Sequence, residues 1–216
     1  MSNQKYVLQL DKSIEVFGRT LYRIKALTSF GNVSIGDEGG YIEKEDNLSI
    51  SGDAWVYGNA NVYDDAKVYD DASVSGNAWV YGNASVSGDA SVYDDAKVSG
   101  DAWVSGDASV YDDAWVSGDA SVYDDARVYG NARVSGDASV YGIMNISNLA
   151  ISITLPTWSV TYSENNFISI GCRVYKVEEW ANFTDEEISD MDTKALSWWK
   201  IYKESILTLA GTITNG

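Results

Sequence analysis

Between Ala54 and Gly142 apolar and polar positions alternate in a six-residue sentence that repeats without a slip. Alanine falls on every sixth residue from Ala54 to Ala138, and valine on every sixth from Val56 to Val140. The two are two residues apart, so in an extended chain they point to one face. The residue between them, and the Tyr or Ser after the valine, point to the other. A Gly/Asp–Asp/Asn pair closes each unit; these residues tolerate turn geometry, including positive φ. Each unit therefore predicts a short strand and a corner. A period this short and strict predicts a solenoid, whose neighbouring units share one narrow Ala/Val core.

The flanks break the rule. Tyr6–Leu10 alternates, and the runs 14–17 and 20–24 predict a hairpin turning at Gly18-Arg19. This small sheet is expected to cap the first coil, because an open solenoid end exposes core and unpaired strand edge. Val33-Ser34-Ile35 and Leu48-Ser49-Ile50 have the inward spacing and predict irregular opening coils. Met144-Asn145-Ile146 extends the register by one unit. Beyond it, runs 158–162 and 167–170 predict a hairpin around residues 164–166, and Thr184-Asp185-Glu186-Glu187 is a capping box. A longer helix is predicted from about Thr193 to Ala210, stopped by Gly211, with Leu196, Trp199, Ile206 and Leu209 near one stripe. Three parts follow: a β cap with irregular coils over 1–50, the hexapeptide array over 51–146, and a hairpin-plus-helices module over 147–216.

The small residue two places before an aliphatic one, as in Ala54/Val56 and Ala60/Val62, resembles the hexapeptide-repeat family. That resemblance implies a mainly β fold, a left-handed parallel β-helix of about five to six triangular coils with three hexapeptides per coil. The stretches Gly18–Leu27 and Gly39–Ser49 look like bacterial and phage polymer-forming or hexapeptide-transferase-like proteins of unsettled role. With three valines per coil, the fifteen valines make about five coils, a prism roughly 25 Å tall.

Residues eighteen apart then stack. A first face carries Trp79, Lys97, Trp115 and Arg133, a ladder in which each cation can rest on a ring. A second carries Tyr93, Tyr111 and Tyr129, with Arg127 nearby. A third carries Lys67, Trp103, Tyr123 and Tyr141 among serines. Nine tyrosines and four tryptophans of the array are expected to point outward. The corners hold sixteen aspartates and no glutamate from Asp53 to Asp137, with Asp94-Asp95 directly below Asp112-Asp113. Three readings of this charge stand: a solvated surface that blocks edge pairing, mimicry of nucleic acid toward a basic partner, and calcium binding. Calcium-binding β-rolls have a nine-residue period, so no metal is expected.

The formal net charge of −17 argues against nucleic acid and anionic membrane as direct partners and makes a basic protein surface the expected one. Many hexapeptide-repeat proteins are acyltransferases with a histidine base. This chain has no histidine, which removes the usual general base near neutral pH. It also lacks a phosphate-cradling glycine loop, a Cys/His cluster and the inserted loop that commonly breaks such arrays. The single Cys172 is expected to pack in a strand, and it fits a reducing cytoplasm. Met1–Lys12 has no apolar signal core. The expectation is a non-enzymatic, acidic interaction protein needing no cofactor. The candidate partner-binding residues are Trp79, Lys97, Trp115, Arg133, Tyr93, Tyr111, Tyr129, Asp94, Asp95, Asp112 and Asp113. Alternatives are an acyltransferase relative, a self-assembling homotrimer and a small-ligand trap.

Overall fold

The computed structural model describes residues 4–147, 151–163 and 165–213. Sixteen two-residue strands, from Trp55–Val56 to Asn145–Ile146, wind into about six turns with three parallel sheets. The register is eighteen throughout this array. Trp79 pairs with Lys97, Lys97 with Trp115 and Trp115 with Arg133 on the first face. Ser73, Ser91, Ser109 and Arg127 stack on the second, and Ser85, Trp103, Ser121 and Ser139 on the third. The residue between alanine and valine donates its N–H to the alanine carbonyl one turn on, as Trp79 does to Ala96 at 2.9 Å. Every alanine from Ala54 to Ala138 and every valine from Val56 to Val140 is buried, and Met144 and Ile146 complete the core. Fully burying one valine side chain contributes about 1.5–3 kcal/mol.

The corners need one left-handed residue each. Glycine supplies it in most turns, including Gly76 and Gly136; aspartate supplies it at Asp64, Asp70, Asp94, Asp112 and Asp124, with φ from 57° to 61°. A left-handed L-residue costs roughly 1–2 kcal/mol. Three of these carboxylates gain a structural bond in return. Asp64, Asp70 and Asp112 accept the backbone N–H of Gly82, Gly88 and Gly130, one turn on, at 3.0–3.3 Å.

The opening coil is longer than the rest. Ile42 pairs with Val62 and Leu48 with Val68, both twenty apart. Val56 follows Leu48 by eight residues rather than six, so Ile50 falls in the enlarged corner and is 61% exposed. Ile35 is also exposed, in the turn beside the Phe30–Val33 bridge. The inward spacing expected for Ile35 and Ile50 therefore fails, although Val33 and Leu48 are buried.

Both ends of the solenoid are closed. Strands β1 (Tyr6–Val16) and β2 (Arg19–Ala26) form an antiparallel hairpin that continues the first face through β3 (Glu38–Ile42). Its turn is Phe17-Gly18, φ 48° and 79°, not Gly18-Arg19, because Arg19 pairs with Val16. Two successive left-handed residues are what a tight hairpin demands. Alanine carbonyls of the first turn have no preceding turn to bond. Lys5 Nζ donates to the carbonyls of Ala54 (2.7 Å) and Gly52 (2.8 Å). Buried Asn47 donates to those of Ala66 (2.8 Å) and Asp64 (3.1 Å).

At the far end Ser139 lacks a next turn. Its N–H donates to Thr161 Oγ1 (3.2 Å), and its carbonyl accepts from Ser169 Oγ (3.1 Å). Those hydroxyls belong to a four-stranded antiparallel sheet of β4 (Ile151–Thr154), β5 (Ser159–Tyr162), β6 (Phe167–Ile170) and β7 (Arg173–Lys176). The expected hairpin is its central pair. Helices α1 (Val177–Asn182), α2 (Asp185–Met191) and α3 (Ala195–Ile213) pack with it into a second core. Thr184 caps α2 as the capping box predicts. Gly211 does not stop α3, which runs on to Ile213. Cys172 is exposed in the turn between β6 and β7 rather than packed in a strand; Gly171 takes the left-handed conformation there.

Stacked corners make glycine costlier to replace inside the array than at its end. A Cβ on Gly76 would lie 2.7 Å from the Asp94 amide nitrogen, whereas one on Gly136 meets nothing within 4 Å. Gly136→Ala is expected to lose about 1 kcal/mol from φ alone; Gly76→Ala should lose at least twice that in urea denaturation. Equal losses would show that the turns do not stack this closely.

Candidate functional site

The edge between the second and first faces is built by consecutive residues, Tyr93-Asp94-Asp95-Ala96-Lys97, repeated one turn on as Tyr111-Asp112-Asp113-Ala114-Trp115. Ala96 and Ala114 point into the core, so the flanking residues are held outward. Tyr93 and Tyr111 stack at 4.8 Å with a 2° interplanar angle, and Tyr111 and Tyr129 at 5.3 Å and 10°. The turn spacing sets that separation. Burial raises the phenol pKa of Tyr93 and Tyr111 above the usual value, with neighbouring tyrosines adding to it and Arg127 opposing it. Asp95 donates its N–H to the Asp112 carbonyl at 3.0 Å, so the two doubled acids are vertical neighbours. All eleven candidate residues thus lie along one edge and the adjoining first face.

The first-face ladder is less uniform than expected. Arg133 lies over the Trp115 ring at 5.1 Å, and it is the one ladder cation placed on an indole among the described residues. Trp115 donates its indole N–H to Ser99 Oγ at 3.1 Å, which tilts the ring toward the third face. Trp103 does the same to Ser87 at 3.2 Å and stays half exposed.

Not every outward aromatic reaches solvent. Trp55 is covered by Tyr6 and Phe30. Tyr63 lies beneath the hairpin with Val16 and Leu21. Tyr141 is covered by the C-terminal sheet, its hydroxyl donating to the Gly171 carbonyl at 3.2 Å. The array points these rings away from its own core, and the end modules then cover them.

The β1–β2 turn overhangs the first face and makes a groove there. Its wall joins Phe17 and Arg19 of the turn to Trp79, Lys97, Asp95 and Asp113 of the array. Phe17 is 84% exposed, with its ring 5.7 Å from that of Trp79. Arg19 bridges Glu43 at 2.9 Å and also pairs with Asp64. Asn77 donates to Asp95 Oδ1 at 3.1 Å. Phe17, Arg19 and Asn77 were not among the sequence candidates. With the turn expected at Gly18-Arg19, Phe17 reads as a strand residue; its exposure follows from the turn falling one residue earlier.

Charge along the edge is uncompensated. Among the described residues, none of the aspartates from Asp70 to Asp137 forms a salt bridge; Asp64 and Asp65, near the N-terminal cap, pair with Arg19 and Lys44. No group of three His, Cys, Asp or Glu residues lies close enough to hold a metal ion, again among the described residues. None of their helices is long and apolar enough to cross a membrane.

The YdcK Beta solenoid repeat family model matches residues 126–142. These are three hexapeptides that make one turn across the three faces, with Val128, Val134 and Val140 inside. The chain folds as a parallel β-solenoid built from six-residue units. No curated protein matches it.

Buried phenols give the fold an alkaline limit. Burial pushes Tyr63 and Tyr162 up to about 12. Their folded pKa lies above the unfolded value near 10, so the protonated form is favoured in the folded state. Their contribution is full below about pH 10 and is lost as pH rises toward 12. Urea midpoints should therefore hold steady to about pH 9.5 and fall between pH 10 and 12. A midpoint flat to pH 12 would show that these hydroxyls ionise freely.

Proposed function

We propose that this solenoid is a non-enzymatic scaffold whose acidic, aromatic edge engages a basic surface on a protein partner. The observation that carries this reading is the edge aspartates Asp94, Asp95, Asp112 and Asp113, none of them in a salt bridge among the described residues, beside half-buried tyrosine and tryptophan rings. Trp, Tyr and Arg are the residue types that supply interface energy, and an unneutralised acidic row steers cationic surfaces toward itself. The groove under Phe17 offers the partner an apolar anchor point next to that row.

The charge spacing supports a sharper form. Sixteen aspartates over roughly 25 Å is about one per 1.6 Å, close to the roughly 1.7 Å per charge of duplex DNA; they are spread over the three corners, with Asp94, Asp95, Asp112 and Asp113 on this edge. A partner whose basic groove ordinarily takes nucleic acid fits a prism charged in this way. The resemblance of the N-terminal stretches to bacterial and phage proteins supports a host-directed role, including inhibition of a defence protein. The absence of histidine from the sequence supports a role without acid–base catalysis. The exposed, unpaired Cys172 supports a reducing compartment such as the cytoplasm.

Charge-driven binding has a plain signature. A partner retained from lysate on the immobilised chain should elute as salt rises from about 0.1 to about 0.5 M. The variant Asp94→Asn/Asp95→Asn/Asp112→Asn/Asp113→Asn should weaken its affinity at least tenfold while the circular dichroism stays unchanged. Retention that ignores both salt and the four substitutions would contradict the proposal.

A further inference from the structure

The groove under the β1–β2 turn pairs an aromatic wall with a carboxylate wall. Phe17 sits at φ 48°, a left-handed conformation that a bulky side chain seldom adopts. Glycine would hold this turn with less strain. Burial does not offset that strain, because the side chain is 84% exposed. Its ring meets that of half-buried Trp79 at 5.7 Å, tilted by 58°. Strained residues of this kind gather where a protein clamps a ligand.

Asp95 and Asp113 form the other wall. They are eighteen residues apart, hence vertical neighbours separated by one turn, roughly 4.8 Å. Both are exposed, and neither forms a salt bridge among the described residues. Arg19, also on the groove, is committed to Glu43 and Asp64. Lys97 lines the groove as well, exposed and in no salt bridge among the described residues. It offsets one of the two carboxylate charges and leaves the other for an outside cation.

The two walls together select a flat cation. A guanidinium is weakly hydrated, stacks on aromatic rings and carries five N–H donors in a planar fork, enough to reach two carboxylates. An ammonium is a compact, strongly hydrated point charge and has no plane to lay on a ring. We infer that this groove takes an arginine side chain of the basic partner, its plane against Phe17 and Trp79 and its donors toward Asp95 and Asp113. This inference rests on the edge reading above and names the side chain that the edge selects. Charge alone draws lysine and arginine surfaces equally; the groove tells them apart.

The test is calorimetric titration of the full chain with hexa-arginine and hexa-lysine, two peptides of equal charge, in about 0.1 M salt. Hexa-arginine should bind about fivefold more tightly and should shift the Phe17 amide in ¹⁵N spectra. Phe17→Gly should bring hexa-arginine down to the affinity of hexa-lysine and leave hexa-lysine unchanged. Its thermal midpoint should stay equal or rise, since glycine suits the turn. Asp113→Asn, an exposed near-isosteric change, should narrow the preference for arginine as well. Asp94→Asn/Asp112→Asn, on the edge but outside the groove, should weaken both peptides alike and preserve the preference. Equal affinities, a preference that survives Phe17→Gly, or an unmoved Phe17 amide would overturn the groove and leave the acidic edge standing. Failure of both peptides to bind would overturn the edge and the groove with it.

Discussion

The structure depends on one constraint: each residue must lie directly over the residue eighteen positions away. The inter-turn hydrogen bond enforces it, from the N–H between alanine and valine to the next alanine carbonyl. A slip of one residue would turn every valine outward. The sealed Ala/Val column and the backbone ladder therefore specify the same register. Everything on the surface inherits that register, because a side chain has nowhere to go but above its equivalent one turn earlier. The 4.8 Å separation of the tyrosine rings is thus a property of the winding rather than of the tyrosines.

The same constraint creates a problem at each end, where the ladder runs out. Lys5 and Asn47 supply donors to carbonyls that no preceding turn reaches, and Thr161 and Ser169 complete Ser139. Unmet ladder groups are costly when buried and invite edge-to-edge association when exposed. The two end modules are therefore part of the solenoid's stability. They also cover rings the array would otherwise present, as Trp55, Tyr63 and Tyr141 show.

The array was legible in the sequence because its signal is a strict period, and period survives without knowledge of contacts. Residue stacking, the Asp94/Asp112 alignment and the core could all be read from it. What failed were features set by other parts of the chain. Ile50 lost its inward position to a corner lengthened by two residues. Lys97 lies on neither indole, and the Trp115 ring turns instead to Ser99. The period also gave no sign that Asp64, Asp70 and Asp112 occupy left-handed corners and bond the backbone of the next turn. The groove was hidden because it needs the β1–β2 turn folded over the first face. Pairings between segments remote in sequence leave no periodic trace.

The eighteen-residue winding can be tested by trapping it. Ser73 and Ser91 are register partners whose hydroxyl oxygens lie 3.1 Å apart, while Ser85 sits on a different face from Ser73. In a Cys172→Ser background, Ser73→Cys/Ser91→Cys should form an intramolecular disulfide under mild oxidation, since neighbouring strands bring the two Cα atoms within bridging range. Ser73→Cys/Ser85→Cys should remain reduced. A first pair that stays reduced, or a second that closes instead, would contradict the three-sided register and the surface built on it.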